Sequence, residues 1–152
     1  MLDVDLSMRV ATLRSVLATR GVMQALALLN ERTDYRYTGI YKLRGSRMSA
    51  ICIFDRHAGP RVWWNVLPLR ASICRQMVCQ GAFATRRASL DARLDHDEDA
   101  GIGESYCGQL LAHESGMPYG GLLHFDVAPR RVDAAVADFL EAAALLFRDC
   151  CE

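Results

Sequence analysis

Lysine is almost missing from this chain: Lys42 is the only one, and arginine supplies the rest of the eighteen basic residues, which eighteen acidic residues balance to a formal net charge of zero. With no surplus of either sign, the surface sets up no long-range field to draw in nucleic acid or an anionic membrane, so neither is an expected partner. The arginine bias is read as genome base composition, not as phosphate recognition. No apolar run approaches the roughly eighteen residues that a membrane-spanning helix needs. Met1-Leu2-Asp3-Val4-Asp5 carries acids where a secretory leader would carry a basic segment, and the chain is therefore expected in the cytoplasm. Repeats, low-complexity tracts and linkers are absent. There is no Cys-x-x-Cys, and His57, His96, His113 and His124 stand at no ligand spacing, so no metal centre is expected. In a reducing compartment the six cysteines, at 52, 74, 79, 107, 150 and 151, are expected to be thiols. Asp95-x-Asp97-x-Asp99 does not make a calcium loop, because its sixth and twelfth positions are Ala100 and Tyr106. Gly101-Ile102-Gly103 lacks the third glycine of a dinucleotide fingerprint, and Gly103-Glu104-Ser105 lacks the spacing of a nucleophile elbow.

What remains is an ordinary globular composition, 51% hydrophobic and 24% charged, in 152 residues that are expected to form a single domain over 1–152. Helical spacing predicts a first helix from Met8 to about Thr19, with Ser7 as its cap, and a second from Val22 to Asn30 after Gly21. The period then changes to two. Tyr35–Leu43 and Met48–Phe54 read as strands joined by a turn at Arg44-Gly45-Ser46-Arg47, and 55–60 reads as a loop. Val62–Val66, with Trp63 and Trp64, is consistent with a short strand or a packed lid. Ala71–Gln80 is a helix closed by Gly81, Ala82–Thr85 a short strand, Ala88–Leu94 a helical turn and 95–103 an acidic loop. Ser105–Leu111 and Tyr119–Asp126 form a hairpin about Glu114-Ser115-Gly116-Met117-Pro118. From Pro129 a last helix carries Val132, Val136, Phe139, Leu140, Ala143, Leu146 and Phe147 in one apolar stripe. This order defines an α+β domain built on an antiparallel sheet.

Several stretches, in order, resemble those of GAF domains: Leu29-Asn30-Glu31-Arg32-Thr33 leading into Tyr37-Thr38-Gly39-Ile40-Tyr41; Leu67-Pro68-Leu69 with Cys74 beyond; Leu90-Asp91-Ala92-Arg93-Leu94; Ser105-Tyr106-Cys107-Gly108; and Gly120–Asp126 ahead of Pro129-Arg130. The resemblance runs from about Val4 to Phe147. It implies a central antiparallel sheet of five or six strands, with the N- and C-terminal helices packed on one face and a ligand pocket under loops on the other. It further implies a small-molecule sensor in signal transduction, a homodimer through the terminal helices, and a separate signalling enzyme as a possible partner. No cofactor is specified, and the ligand is unidentified.

On this resemblance the ligand-binding candidates are Tyr41, Trp64, Cys74, Asp91, Arg93, Tyr106, Cys107 and His124. Each has a plainer reading. Free cysteines are usually packing residues, a strand histidine such as His124 is usually hydrogen-bonded in the core, and Arg93 is equally able to tie to Asp91 or Asp95 at the surface or to clamp a ligand's carboxylate or phosphate. Cys74 and Cys79, five apart on a helix, point about 140° away from one another and cannot pair within it. An enzymatic alternative uses Cys74, Cys79 and Cys107 for thiol chemistry of the free methionine sulfoxide reductase type. A third reading is a protein-interaction module whose pocket is filled by side chains.

Overall fold

A computed structural model describes residues 4–61, 69–95 and 103–151. The chain opens with two helices, α1 (Val4–Arg20) and α2 (Val22–Asn30), broken at Gly21, whose φ of 92° lies in the left-handed region. A hairpin of β1 (Tyr37–Arg44) and β2 (Arg47–Asp55) follows, then a short β3 (Gly59–Arg61). Next come α3 (Ala71–Gln80), β4 (Ala82–Thr85) and a short helical turn at Ala88–Leu90. A second hairpin, β5 (Ser105–Ala112) and β6 (Pro118–Asp126), leads to α4 (Ala134–Ala144) and a final 3₁₀ segment, Leu145–Cys151.

The described strands form one six-stranded sheet in the order β3-β2-β1-β6-β5-β4, and every neighbouring pair is antiparallel. The first hairpin thus lies beside the second through β1 and β6, with Tyr37 opposite Phe125 and Ile40 opposite Leu122. On one face α2 and α4 cover the sheet and α1 packs outside them; Leu13, Leu26, Leu29, Ile40, Leu122, Leu140 and Phe147 form that core. On the other face lies α3, whose Ile73 and Met77 pack with Ile53, Leu123 and Phe125 of the sheet. Each fully buried Leu, Ile or Phe contributes about 1.5–3 kcal/mol, so both faces stabilise the sheet.

Three expectations need correction. The first helix begins at Val4 and not at Met8, with Asp5 in its first turn, where a carboxylate complements the helix dipole. The segment expected as a loop contains β3, an edge strand of three residues whose Pro60 is tolerated at a sheet margin. The last helix starts at Ala134 and not at Pro129. Asp126 accepts from the Ala128 backbone N–H at 3.0 Å and from Arg130 Nε at 2.9 Å, which pins 128–130 against the sheet. Asp133 then caps α4, its carboxylate accepting from Ala135 N at 2.9 Å.

Among the described residues, no helix is long and apolar enough to cross a membrane.

Candidate functional site

α3 turns three neighbouring side chains toward the sheet, Ile73, Cys74 and Met77, and each has no accessible surface. The helix ends where the N–H of Gly81 bonds the Met77 carbonyl at 2.8 Å, with φ of 82° at the glycine. Opposite stand Tyr41 and Tyr106, each 1% exposed, and Phe125, on which Tyr37 and Tyr106 stack at centroid distances of 5.0 and 6.2 Å. Burial raises the Tyr41 phenol well above its ordinary range.

Two glycines shape this face. A Cβ on Gly108 of β5 would lie 2.8 Å from the Met77 sulfur, and one on Gly121 of β6 would lie 2.7 Å from the Met77 methyl. The bare backbone of two adjacent strands therefore makes a recess, and the Met77 thioether occupies it. Methionine suits such a role because its unbranched, polarizable chain fills irregular gaps. Among the described residues, Tyr41, Cys74, Met77 and Tyr106 thus have almost no accessible surface.

Cys107 and His124 point the other way. Side chains alternate along a strand, so Cys107 must face opposite to Tyr106, and His124 opposite to Phe125. Both lie beneath the helical layer. Burial, followed by the charge of Asp133, pushes the Cys107 thiol up to about 11. At neutral pH that leaves roughly one thiolate in ten thousand, too few for a reactive cysteine.

His124 is 1% exposed, stacks on Tyr35 with centroids 5.6 Å apart, and has its Nδ1 2.7 Å from the Thr38 hydroxyl. Thr38 in turn accepts from Asn30 Nδ2 at 2.9 Å, so its own hydroxyl hydrogen is available to a neutral imidazole. Asn30 also donates to the Tyr35 carbonyl and accepts from Arg56 Nε, both at 2.9 Å, and Arg56 reaches the Asn30 and Thr33 carbonyls as well. Burial, and secondarily Arg56, brings the His124 pKa down to about 3. The unfolded imidazole titrates near 6.5, so the unfolded chain takes up the proton first. Stability from this group is thus complete above about pH 6.5 and falls as pH drops toward 3, with a slope of up to about 1.4 kcal/mol per pH unit. Urea unfolding of the wild type and His124→Gln between neutral pH and pH 4.5 checks this. The variant is expected to lose that part of the slope, and equal slopes would refute the assignment.

Asp91 and Arg93 close on each other at the β4 margin. Arg93 donates to both carboxylate oxygens of Asp91, at 2.9 and 2.6 Å, gives another bond to the Ala84 carbonyl at 2.9 Å, and lies 4.4 Å above the Phe83 ring. The bond from Arg93 holds the Asp91 carboxyl below the usual range. The guanidinium fork is spent on the chain itself.

The candidate residues thus divide. Tyr41, Cys74 and Tyr106 meet beneath α3, Cys107 and His124 lie across the sheet from them, Asp91 and Arg93 sit at its edge, and Trp64 falls outside the described residues, as do Trp63 and His96. Cys74 and Cys107 are buried on opposite faces and Cys79 is exposed, so these three thiols do not converge. Sequence reasoning passed over Met77, Gly108 and Gly121, although a glycine inside a strand signals close approach. It also passed over the network of Asn30, Thr38 and Arg56. Its one signal was a polar residue, Thr38, placed where strand alternation demands an apolar one.

No protein-family model and no curated protein sequence matches this chain. Its architecture nevertheless places it in a known structural class, the GAF-like α+β fold. A GAF domain of an Acinetobacter phosphoenolpyruvate-protein phosphotransferase superposes with a TM-score of 0.72 at 12% identity, covering 97% of this chain and 93% of that one. A putative GAF sensor protein from Burkholderia vietnamiensis gives 0.68 at 14% identity, with coverages of 95% and 91%. The free methionine-R-sulfoxide reductase of Neisseria meningitidis, solved with its substrate, gives 0.68 at 14% identity, with coverages of 98% and 91%. Identities this low carry the fold alone.

Proposed function

We propose that this chain is a cytoplasmic regulatory module of GAF-like fold that works through protein contacts, the first of them with a second copy of itself. The observation that carries this reading is the outer face of α1. Of its 17 residues only Leu13 is fully buried; Leu6, Val10, Val16 and Leu17 pack inward in part. The opposite side exposes Val4, Met8, Ala11, Ser15 and Ala18, spaced four, three, four and three residues apart, with Val4 and Met8 at 74% and 66% exposure. That is the spacing of a two-helix seam, and helices draw most of their stability from a packed face. A separate signalling enzyme is the recipient that this reading calls for.

Sedimentation velocity over a range of concentrations tests it. The wild type is expected to dimerise, and Ala11→Glu, which sets two carboxylates against each other across the seam, to weaken the dimer more than about tenfold. A wild type that stays monomeric throughout would overturn the proposal.

A receptor for a small molecule is the second reading. It is favoured by the phenolic hydroxyls of Tyr41 and Tyr106, polar groups inside an otherwise apolar cluster. A guest there has to displace Met77. Thiol-dependent reduction draws no support from cysteines that do not converge.

A further inference from the structure

A second concavity lies on the helical side of the sheet, away from α3. The turn 32–35 and the start of α4 enclose a hollow of about 230 Å³, lined by Arg32, Thr33, Asp34, Tyr35, Arg131, Asp133 and Val136. Both walls are fixed. Thr33 Oγ1 donates to the Asn30 carbonyl at 2.9 Å and accepts from Tyr35 N at 3.2 Å, Arg56 holds the Thr33 carbonyl, and Asp133 is the cap of α4. Tyr35 contributes to the lining and is 2% exposed, and its hydroxyl is buried away from the hollow.

The charges choose the guest. A simple anion would meet Asp34 and Asp133, and a simple cation would meet Arg32 and Arg131, so either would meet as many repulsions as attractions. A molecule bearing both signs satisfies both pairs. Arg32 is only loosely committed, 3.6 Å from Asp5 in an exposed ion pair, and can turn inward. The volume falls below the roughly 300–1,000 Å³ of drug-sized sites, which points to a ligand of small size. We infer that this hollow, lined by Tyr35, Arg131, Asp34 and Asp133, binds a small zwitterion of the free amino-acid class.

Titration of the full chain with individual free amino acids, followed by backbone amide NMR, tests the inference; acetate and methylammonium serve as single-charge controls. At least one amino acid is expected to shift the amides of Asp34, Arg131 and Ala135 with saturation at millimolar concentration or below. Acetate and methylammonium are expected to bind at least about tenfold more weakly, as is the same amino acid to the Arg131→Ala variant. No saturable shift, equal binding of acetate, or unchanged affinity in Arg131→Ala would overturn it. The dimer-weakening Ala11→Glu variant is expected to bind like the wild type, which keeps this result separate from that of the dimer.

Discussion

Asp126→Ala is expected to destabilise the fold by about 3–5 kcal/mol, the range for breaking a buried ionic cluster from one side. The carboxylate is 2% exposed and accepts from the backbone N–H of Arg36 at 3.0 Å, the backbone N–H of Ala128 at 3.0 Å and Arg130 Nε at 2.9 Å. The pair with Arg130 is the lesser part, since that guanidinium is 37% exposed and solvent screens it. Most of the loss comes from the two amides, which alanine leaves unmatched at about 1–3 kcal/mol each. They stand at the entry to β1 and in the connection to α4, so the first hairpin and the last helix loosen together. Urea unfolding at neutral pH reads the effect, with Asp126→Asn expected to fall between wild type and alanine. A loss under about 1 kcal/mol would show that water replaces the carboxylate without cost.

Met77→Ala is the other large effect, expected at about 2–5 kcal/mol for removing a buried long side chain. Here the measurement also reaches function. The wall left behind is the sheet-paired backbone of Gly108 and Gly121 with the apolar side chains of Leu123 and Met48, a surface that neither glycine can collapse to fill. Such a cavity stays dry and admits small apolar guests. Benzene is expected to raise the Tm of Met77→Ala and to leave the wild type unchanged, whereas Met77→Leu, nearly matched in volume, is expected to cost under about 1.5 kcal/mol. If benzene raises the wild-type Tm just as well, the recess is open and the receptor reading displaces the module.

Much of the fold is legible in the residues because local period and long-range packing agree. α2, α3, β4 and both hairpins fall within a residue or two of where helical spacing, alternation and Gly81 set them. β3 is hidden because three residues containing Gly59 and Pro60 carry no strand signature, and the register with Ile53–Asp55 that makes them a strand is non-local. The onset of α4 is hidden for a related reason: the helical pattern continues back to Val132, but Asp126, distant in the tertiary sense, holds the preceding loop. For the candidate site, resemblance grouped Tyr106 with Cys107, while strand alternation already separates them. The Asp91–Arg93 tie is legible, since the two residues are neighbours in the chain. Met77 is not. Its role depends on two glycines from the second hairpin lying beneath α3, and only the assembled sheet brings them there. The Tyr35–His124 stack is equally a product of tertiary structure.

The last strand of the sheet has one more consequence. Among the described residues β4 pairs only with β5, and its outward rim would ordinarily invite a foreign strand to dock main chain to main chain. Arg93, anchored by Asp91, already holds the Ala84 carbonyl, so a newcomer would first have to strip away a charged group bonded on several sides. Growth into a fibre by edge addition is hindered at this border, and the opposite border is kept to the three residues of β3, one of them a proline.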